Sequence, residues 1–185
     1  MGLNLFVGGI ALRNNTMDTI CIVIVMSIIL HGCGMQTEED ALDSAIKSAE
    51  RTFYSNEEVK TNEQTTTFDF YLPSSLSIEE ESENNVILSD GNQHYIIFYN
   101  DLESPKSKIN YKSAKDSDSL AYESFEDEER FGYLQVIAGT DENYQIQAGI
   151  GGVKITTYTS KKDMAGKAEE LMKIARSIVG QNMAS

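Results

Sequence analysis

Residues 131–158, FGYLQVIAGTDENYQIQAGIGGVKITTY, decide the fold class of this chain. Apolar side chains alternate with polar ones over 132–138, 144–149 and 153–158, and a period of two is typical of β-strands. A polar turn at 140–142 separates the first two segments, and a glycine-rich turn separates the last two. Because such short connections join antiparallel neighbours, the stretch predicts three consecutive antiparallel strands.

Four more strands are predicted upstream of this stretch. The dipeptide Asp90-Gly91 is a strong hairpin signal, and it joins segments at 86–89 and 94–99. Residues 95–99 are apolar on both faces, which favours a central strand or one with both faces covered. The other two predicted strands are 68–72, which Pro73 ends, and 76–81.

Two amphipathic helices flank the predicted strands. Thr37 followed by Asp40 resembles a capping box with Asp in place of Glu, and apolar residues then recur at helical spacing over 38–54. The pattern returns over 161–179, where Ser160 opens the helix and Gly180 is placed to end it. The sequence therefore predicts an α+β fold: a largely antiparallel sheet of about six to seven strands with an N-terminal and a C-terminal helix packed on it.

A polar excursion at 100–129 interrupts the strand pattern. It carries four lysines and then seven acids, and we expect it to be partly mobile, with a short helix near 117–124. The lysines either meet anionic lipid headgroups or neutralise the acids that follow, and we favour neutralisation. Residues 55–64 are also polar and predict a loop. The four lysines are Lys106, Lys108, Lys112 and Lys115.

A mostly apolar run of eleven residues, 20–30, precedes the acidic remainder of the chain. As a helix it reaches roughly half of a ~30 Å hydrocarbon core, which is too short to span a bilayer and suits the apolar part of a secretion signal. The four residues Leu30-His31-Gly32-Cys33 resemble a bacterial lipobox. His31 departs from the small or hydroxyl residue usual at its position.

The lipobox resemblance implies a division of the chain. Residues 1–32 are then a lipoprotein signal peptide, Leu30 and Gly32 are recognised by the signal peptidase, and Cys33 becomes the lipidated N-terminus. Residues 33–36 form a short lipid-anchored tether, 37–180 form a single α+β domain, and 181–185 form a tail. Because Arg13 is the only cation ahead of the apolar run, we expect translation to start inside 1–16, close enough to keep that residue.

The charge of the chain, −14, belongs entirely to the part after the signal. Removal of 1–32 takes away one base, Arg13, and one acid, Asp18, so the balance is unchanged. This acidity argues against nucleic acid as a partner, since phosphate binding needs clustered Lys and Arg. The two cysteines are Cys21 and Cys33, so the domain after the signal has no disulfide and depends on its core.

The residues that carry chemistry are sparse. His94 is the only histidine after the signal, so we expect no catalytic metal and no His-dependent nucleophile, and no nucleotide or other cofactor motif occurs. A run of four acids is the one candidate acidic surface. Adjacent acids more often form a solvated face than an acid/base pair. The four acids are Glu126, Asp127, Glu128 and Glu129.

Beyond the lipobox, two segments carry a wider resemblance. The run that begins Phe131-Gly132-Tyr133, through 154–157, and the closing 174–178 look like small lipoproteins of unassigned activity in Bacillus-type Gram-positive bacteria. The order of strands and helices is also similar to the PsbP-like sandwich, a fold used mainly for binding. Neither resemblance implies a catalytic activity.

We therefore expect a lipid-anchored protein on the extracytoplasmic face of the cell membrane, with a non-enzymatic binding or assembly role in the envelope. Its partners would be the membrane, through palmitate or a related lipid on Cys33, and another envelope protein. One alternative is an envelope hydrolase that uses acids near 100–129. A second alternative is an uncleaved, membrane-tethered sensor domain.

Replacement of Cys33 by Ala tests the anchor. The substitution removes the thiol that would carry lipid, so labelling with palmitate in cells should occur in the parent chain and disappear in Cys33→Ala. Cys21→Ala, inside the apolar run, is the matched control and should label like the parent. Palmitate that is retained in Cys33→Ala would contradict the anchor.

Overall fold

The computed structural model describes residues 36–115 and 118–182 of the chain. The remaining residues, among them 1–35, lie outside this description. In chain order the described residues form α1 (Glu38–Tyr54), β1 (Glu63–Gln64), β2 (Asp69–Phe70), β3 (Ser77–Glu81), β4 (Asn85–Ser89), β5 (His94–Tyr99), α2 (Ile109–Ala114), β6 (Ser119–Glu126), β7 (Phe131–Ala138), β8 (Asn143–Ile150), β9 (Val153–Ser160) and α3 (Met164–Asn182).

Seven of the described strands form one antiparallel sheet in the order β3-β4-β5-β9-β8-β7-β6. It contains two meanders, β3 to β5 and β6 to β9, and the antiparallel pairing of β5 with β9 joins them. In that pairing Ile97 lies opposite Ile155, and Ile96 lies opposite Thr156. Strands β1 and β2 pair only with each other in the described part of the chain. The α+β class is therefore confirmed.

The helices α1 and α3 cover one face of the sheet, which we call the helix face. Alanines at four-residue steps, Ala41, Ala45 and Ala49, are fully buried along α1 and bring it close to α3. The large side chains of this layer include Phe53 of α1, Leu134 of β7 and Ile146 of β8, all fully buried. Burial of each such side chain is worth roughly 1.5–3 kcal/mol, so this layer supplies most of the driving force for folding.

The predicted start of α1 is confirmed, whereas α3 begins at Met164, three residues after the predicted start at 161. The Thr37 hydroxyl accepts a hydrogen bond from the amide of Asp40 at 3.1 Å, and α1 spans 38–54 as predicted. The Ser160 hydroxyl likewise accepts from the amide of Asp163 at 3.3 Å ahead of α3. The predicted end of α3 is wrong, because the helix continues through Gly180 to Asn182. Gly180 costs helix stability at that position but does not end the helix.

Two strand predictions need correction. The segment 68–72 does not enter the main sheet; only Asp69–Phe70 is a strand, paired with Glu63–Gln64 inside the predicted loop. The helix expected near 117–124 is wrong, since 119–126 forms the edge strand β6. A register shift between Ser119 and Ala121 and the polar residues on its outer side hide the alternation of this strand.

Within residues 36–115 and 118–182, the opposite face of the sheet is covered over β6 and β7. There α2 lies on the sheet, and Tyr111 stacks on Tyr122 with ring centroids 4.4 Å apart and planes 2° from parallel. The same ring of Tyr111 meets Phe131 and Tyr133 at 5.2 and 5.9 Å. Part of the predicted polar excursion is thus an aromatic cover.

Gly149 lets the ring of Tyr133 lie against the sheet. A Cβ added at Gly149 would be 2.4 Å from the carbonyl oxygen of Val153 and 2.6 Å from the Tyr133 ring. Neither neighbour can move without disturbing the sheet or the aromatic cover. Residue 149 must therefore be a glycine, because the Val153 carbonyl and the Tyr133 ring leave no room for a Cβ.

Gly149→Ala should lower the free energy of unfolding by about 1–3 kcal/mol, as overpacking does in a filled core. Gly166→Ala is the matched control, because Gly166 is helical and has no atom within 4 Å of an added Cβ. That change should raise stability by about 0.5–1 kcal/mol. Urea unfolding of both variants provides the measurement, and equal stability of the two would contradict the close approach.

Candidate functional site

The half of the sheet's second face that no described residue covers carries an apolar patch. Ile87 of β4 lies opposite Ile96 of β5, which in turn lies opposite Thr156 of β9, so the three form one row across the sheet. Tyr158 lies two residues beyond Thr156 and therefore on the same face. We call Ile87, Ile96, Thr156 and Tyr158 the open patch. Ile96 is 47% exposed and Tyr158 is 52% exposed, which is unusual for large apolar side chains in a sheet interior.

Two depressions lie over the open patch. One, of about 400 Å³, is bounded by Ile87 and Ile96 together with acids of β3. The other, of about 540 Å³, extends from Ile96 past Tyr158 to Gln145 on β8. Both depressions share Ile96, so the patch is one continuous surface with Ile96 at its centre.

Acidic side chains border the patch on the side of β3. Glu79 and Glu80 line the first depression, and the Oε2 of Glu79 lies 2.8 Å from the Nε2 of His94. Both partners of this pair are more than half exposed, so the contact contributes little to stability. His94 is the first residue of β5, as the predicted strand over 94–99 implies.

A polar chain marks the boundary between the open patch and the aromatic cover. The Thr156 hydroxyl donates to Oε1 of Gln147 at 3.2 Å, and the Nε2 of Gln147 donates to the Tyr133 hydroxyl at 2.8 Å. Burial raises the pKa of Tyr133 well above its usual range, and the bond from Gln147 only partly opposes this effect. Tyr133 therefore stays neutral and acts as a structural acceptor.

The acidic run predicted from the sequence lies at the turn between β6 and β7. Glu126 Oε2 is 2.8 Å from the Nζ of Lys108, and the carbonyl of Glu128 accepts from the Nζ of Lys106 at 2.9 Å. Lys108 thus pairs with one of the acids, as neutralisation predicts, whereas Lys106 bonds a backbone carbonyl. Glu129 is exposed.

Asp127 closes that turn. Its Oδ1 accepts hydrogen bonds from the amides of Glu129 and Arg130 at 2.9 and 2.8 Å, and its Oδ2 accepts from the Nε of Arg130 at 3.1 Å. Burial alone would raise the pKa of Asp127, but these donors outweigh burial and lower it. The carboxylate is thus held ionised in a structural role.

Several predicted features lie outside the described residues. Leu30, Gly32 and Cys33 belong to this group, as do the whole signal and the end of the tail. Among 36–115 and 118–182, no three His, Cys, Asp or Glu side chains lie together in a way that could hold a metal ion.

None of the helices in the described part of the chain is both long and apolar enough to cross a bilayer.

No protein-family model matches the chain. No curated protein sequence is significantly similar to it.

The sequence alone did not identify the open patch. Residues 95–99 indicated a central strand, but alternation could not show that nothing in the described chain covers Ile96. One indication was present in the sequence: Ile96 and Tyr158 are large apolar residues on the face opposite the one that carries Ile97 and Ile155. Which half of a sheet a distant segment covers depends on topology, and here α2 covers β7.

The lowered pKa of Asp127 predicts an acid-labile contribution to stability. An Asp whose pKa is lower in the folded chain than its unfolded value of about 3.9 stabilises the fold above that pH. This contribution is lost as the pH falls through the folded pKa. Asp127→Asn should therefore lower the free energy of unfolding at pH 7 by about 1–2 kcal/mol and flatten its dependence on pH below about 4.

Unfolding by urea between pH 2 and pH 7 measures this effect. Glu129→Gln is the matched control, because it removes an exposed carboxylate from the same turn and leaves the bonds to Asp127 in place. If both variants lose stability equally at pH 7, the structural role of Asp127 is wrong.

Proposed function

We propose that this chain is a lipid-anchored, extracytoplasmic protein that binds another envelope protein through the open patch and catalyses no reaction. The observation that carries the proposal is the exposure of Ile96 and Tyr158 at the centre of an otherwise filled sheet. The lipobox resemblance supports the location on the extracytoplasmic face of the membrane, and the open patch supports the binding role. The bound partner is a polypeptide segment with apolar side chains flanked by Lys or Arg.

The apolar part of the patch supports a protein partner. Isoleucine and tyrosine on a rigid sheet offer contact area at a low cost in side-chain entropy, and aromatic side chains are enriched where binding energy concentrates. The strand neighbours of Ile96, Tyr95 and Ile97, are buried in the core, and their packing fixes the backbone at Ile96. The surface is thus already in place before a partner arrives.

The charge around the patch selects the kind of partner. Glu79 and Glu80 border one depression, and the whole chain carries −14. Two copies that met through this face would bring these acids together, which disfavours self-association. A basic segment would instead gain both complementary charge and burial of Ile96.

The hydrolase alternative has less support. A catalytic general acid needs a raised pKa, whereas Asp127 has a lowered one and its carboxylate is occupied by Arg130 and backbone amides. Glu126 is engaged by Lys108. The sensor alternative differs only in whether the signal is cleaved, so it uses the same patch.

Site-specific photo-crosslinking in cells tests the proposal. A benzophenone amino acid in place of Ile96 should crosslink to a segment rich in Lys or Arg and apolar residues, which mass spectrometry of the adduct identifies. The same amino acid at Leu102, which is 89% exposed and outside the patch, is the matched control and should not give that adduct.

Tyr158→Asp adds a repulsive acid at the patch and should lower the yield of the adduct by about tenfold, while stability falls by only about 1 kcal/mol because Asp is a poor strand residue. An adduct insensitive to Tyr158→Asp, or equal from both crosslinker positions, contradicts the proposal. An adduct with a second copy of this chain would also contradict it, since the partner would then be acidic.

A further inference from the structure

A second concave site lies beside the C-terminal end of α1 and the middle of α3. It is a cavity of about 530 Å³ between the last turn of α1, the segment 55–60, Tyr71 directly after β2, and α3. It shares no lining residue with the open patch. Its size is within the range of about 300–1,000 Å³ that small-molecule sites occupy.

The walls of the cavity concentrate positive charge in a strongly acidic protein. Four cations line it against three acids, an excess of one positive charge in a chain of −14. Arg51 is already paired with Glu169 at 2.8 Å, which leaves three cations and two acids around the remaining space. The three remaining cations are Lys60, Lys173 and Arg176.

Arg176 supplies the observation that distinguishes this cavity from an ordinary surface groove. Its Nη2 donates to the carbonyls of Ser55 and Glu57 at 2.7 and 2.8 Å, while its Nε is buried and has no hydrogen-bond partner among the described residues. No carboxylate in the described chain forms an ion pair with it. Burial, with repulsion from Arg130, lowers the pKa of Arg176, and Glu57 opposes this only partly.

The guanidinium of Arg176 is therefore a cation whose burial is incompletely compensated. A partly buried positive charge without a paired anion is costly, and an anion within reach would relieve that cost. Lys173 adds a second charge at the same wall, with its Nζ 4.4 Å from the centre of the Tyr71 ring. The Tyr71 ring and Val59 give the cavity an apolar wall beside these cations.

We infer that this cavity binds a small organic anion, a carboxylate or a phosphate monoester attached to an aromatic or apolar body. Lys60 and Lys173 bind the anionic oxygens, the nearby positive charge of Arg176 adds to the attraction, and Tyr71 and Val59 contact the body. This binding site is independent of the open patch and of the proposed protein partner.

Isothermal titration calorimetry on the full-length chain in a non-ionic detergent tests the inference. The probes are phenyl phosphate, benzoate and benzamide, which share a phenyl ring and differ in charge. Phenyl phosphate or benzoate should bind and benzamide should not, and the comparison of the two anions distinguishes a phosphate site from a carboxylate site. Absence of heat with both anions overturns the inference.

The double variant Lys60→Gln/Lys173→Gln locates the site. It leaves the bonds of Arg176 to 55–57 intact, so the fold is preserved, and it should weaken binding of the anion by at least about tenfold. Lys162→Gln is the matched control, because Lys162 is exposed just before the first residue of α3 and does not line the cavity. This variant should bind like the parent. Equal binding by the double variant and the control overturns the inference.

Discussion

The pairing of β5 with β9 is the interaction on which the rest of this structure depends. It joins two meanders that are distant in sequence, and it places Ile97 against Ile155 on the helix face, where both are fully buried. The same pairing places Ile96 against Thr156 on the other face. One register therefore completes the core and creates the open patch, and a slip of one residue would exchange the two faces.

The second constraint is that, among the described residues, one segment covers about half of the second face. The segment between β5 and β6 turns back over β7, where the stacked rings of Tyr111 and Tyr122 and the buried Tyr133 seal the sheet. The Thr156–Gln147–Tyr133 chain marks the limit of this cover. Beyond it, no other described residue covers β4, β5 and β9 on this face, so the position of the candidate site is a consequence of where the cover ends.

Local patterns predicted most of this architecture, because hairpin turns, strand alternation and helix caps act over a few residues. The helix at 38–54, the strand at 94–99 and the three strands of 131–158 all follow from such patterns. The edge strand β6 was missed because acids and a register shift conceal its period. The end of α3 was misplaced because tertiary packing of Ile178 and Val179 outweighs the preference of one glycine.

The candidate sites were less predictable than the fold. The acids of the sequence motif at 126–129 lie at a turn that Asp127 closes, whereas the open patch and the cavity beside α1 and α3 are built from residues with no motif at all. Ile96 is a candidate binding residue because no described residue covers its face of the sheet. Arg176 is notable because it bonds backbone carbonyls and no described carboxylate forms an ion pair with it. Such properties depend on long-range packing, which spacing in the sequence does not encode.

Hydroxyl-radical footprinting of the chain in its native membranes, compared with the purified protein, tests the central claim most directly. The claim is that the open patch is occupied by a partner in the envelope. It predicts that Ile96 and Tyr158 are oxidised several-fold less in membranes than in the purified protein, while the exposed Leu102 is oxidised equally in both. Equal oxidation of Tyr158 in the two samples would contradict the claim.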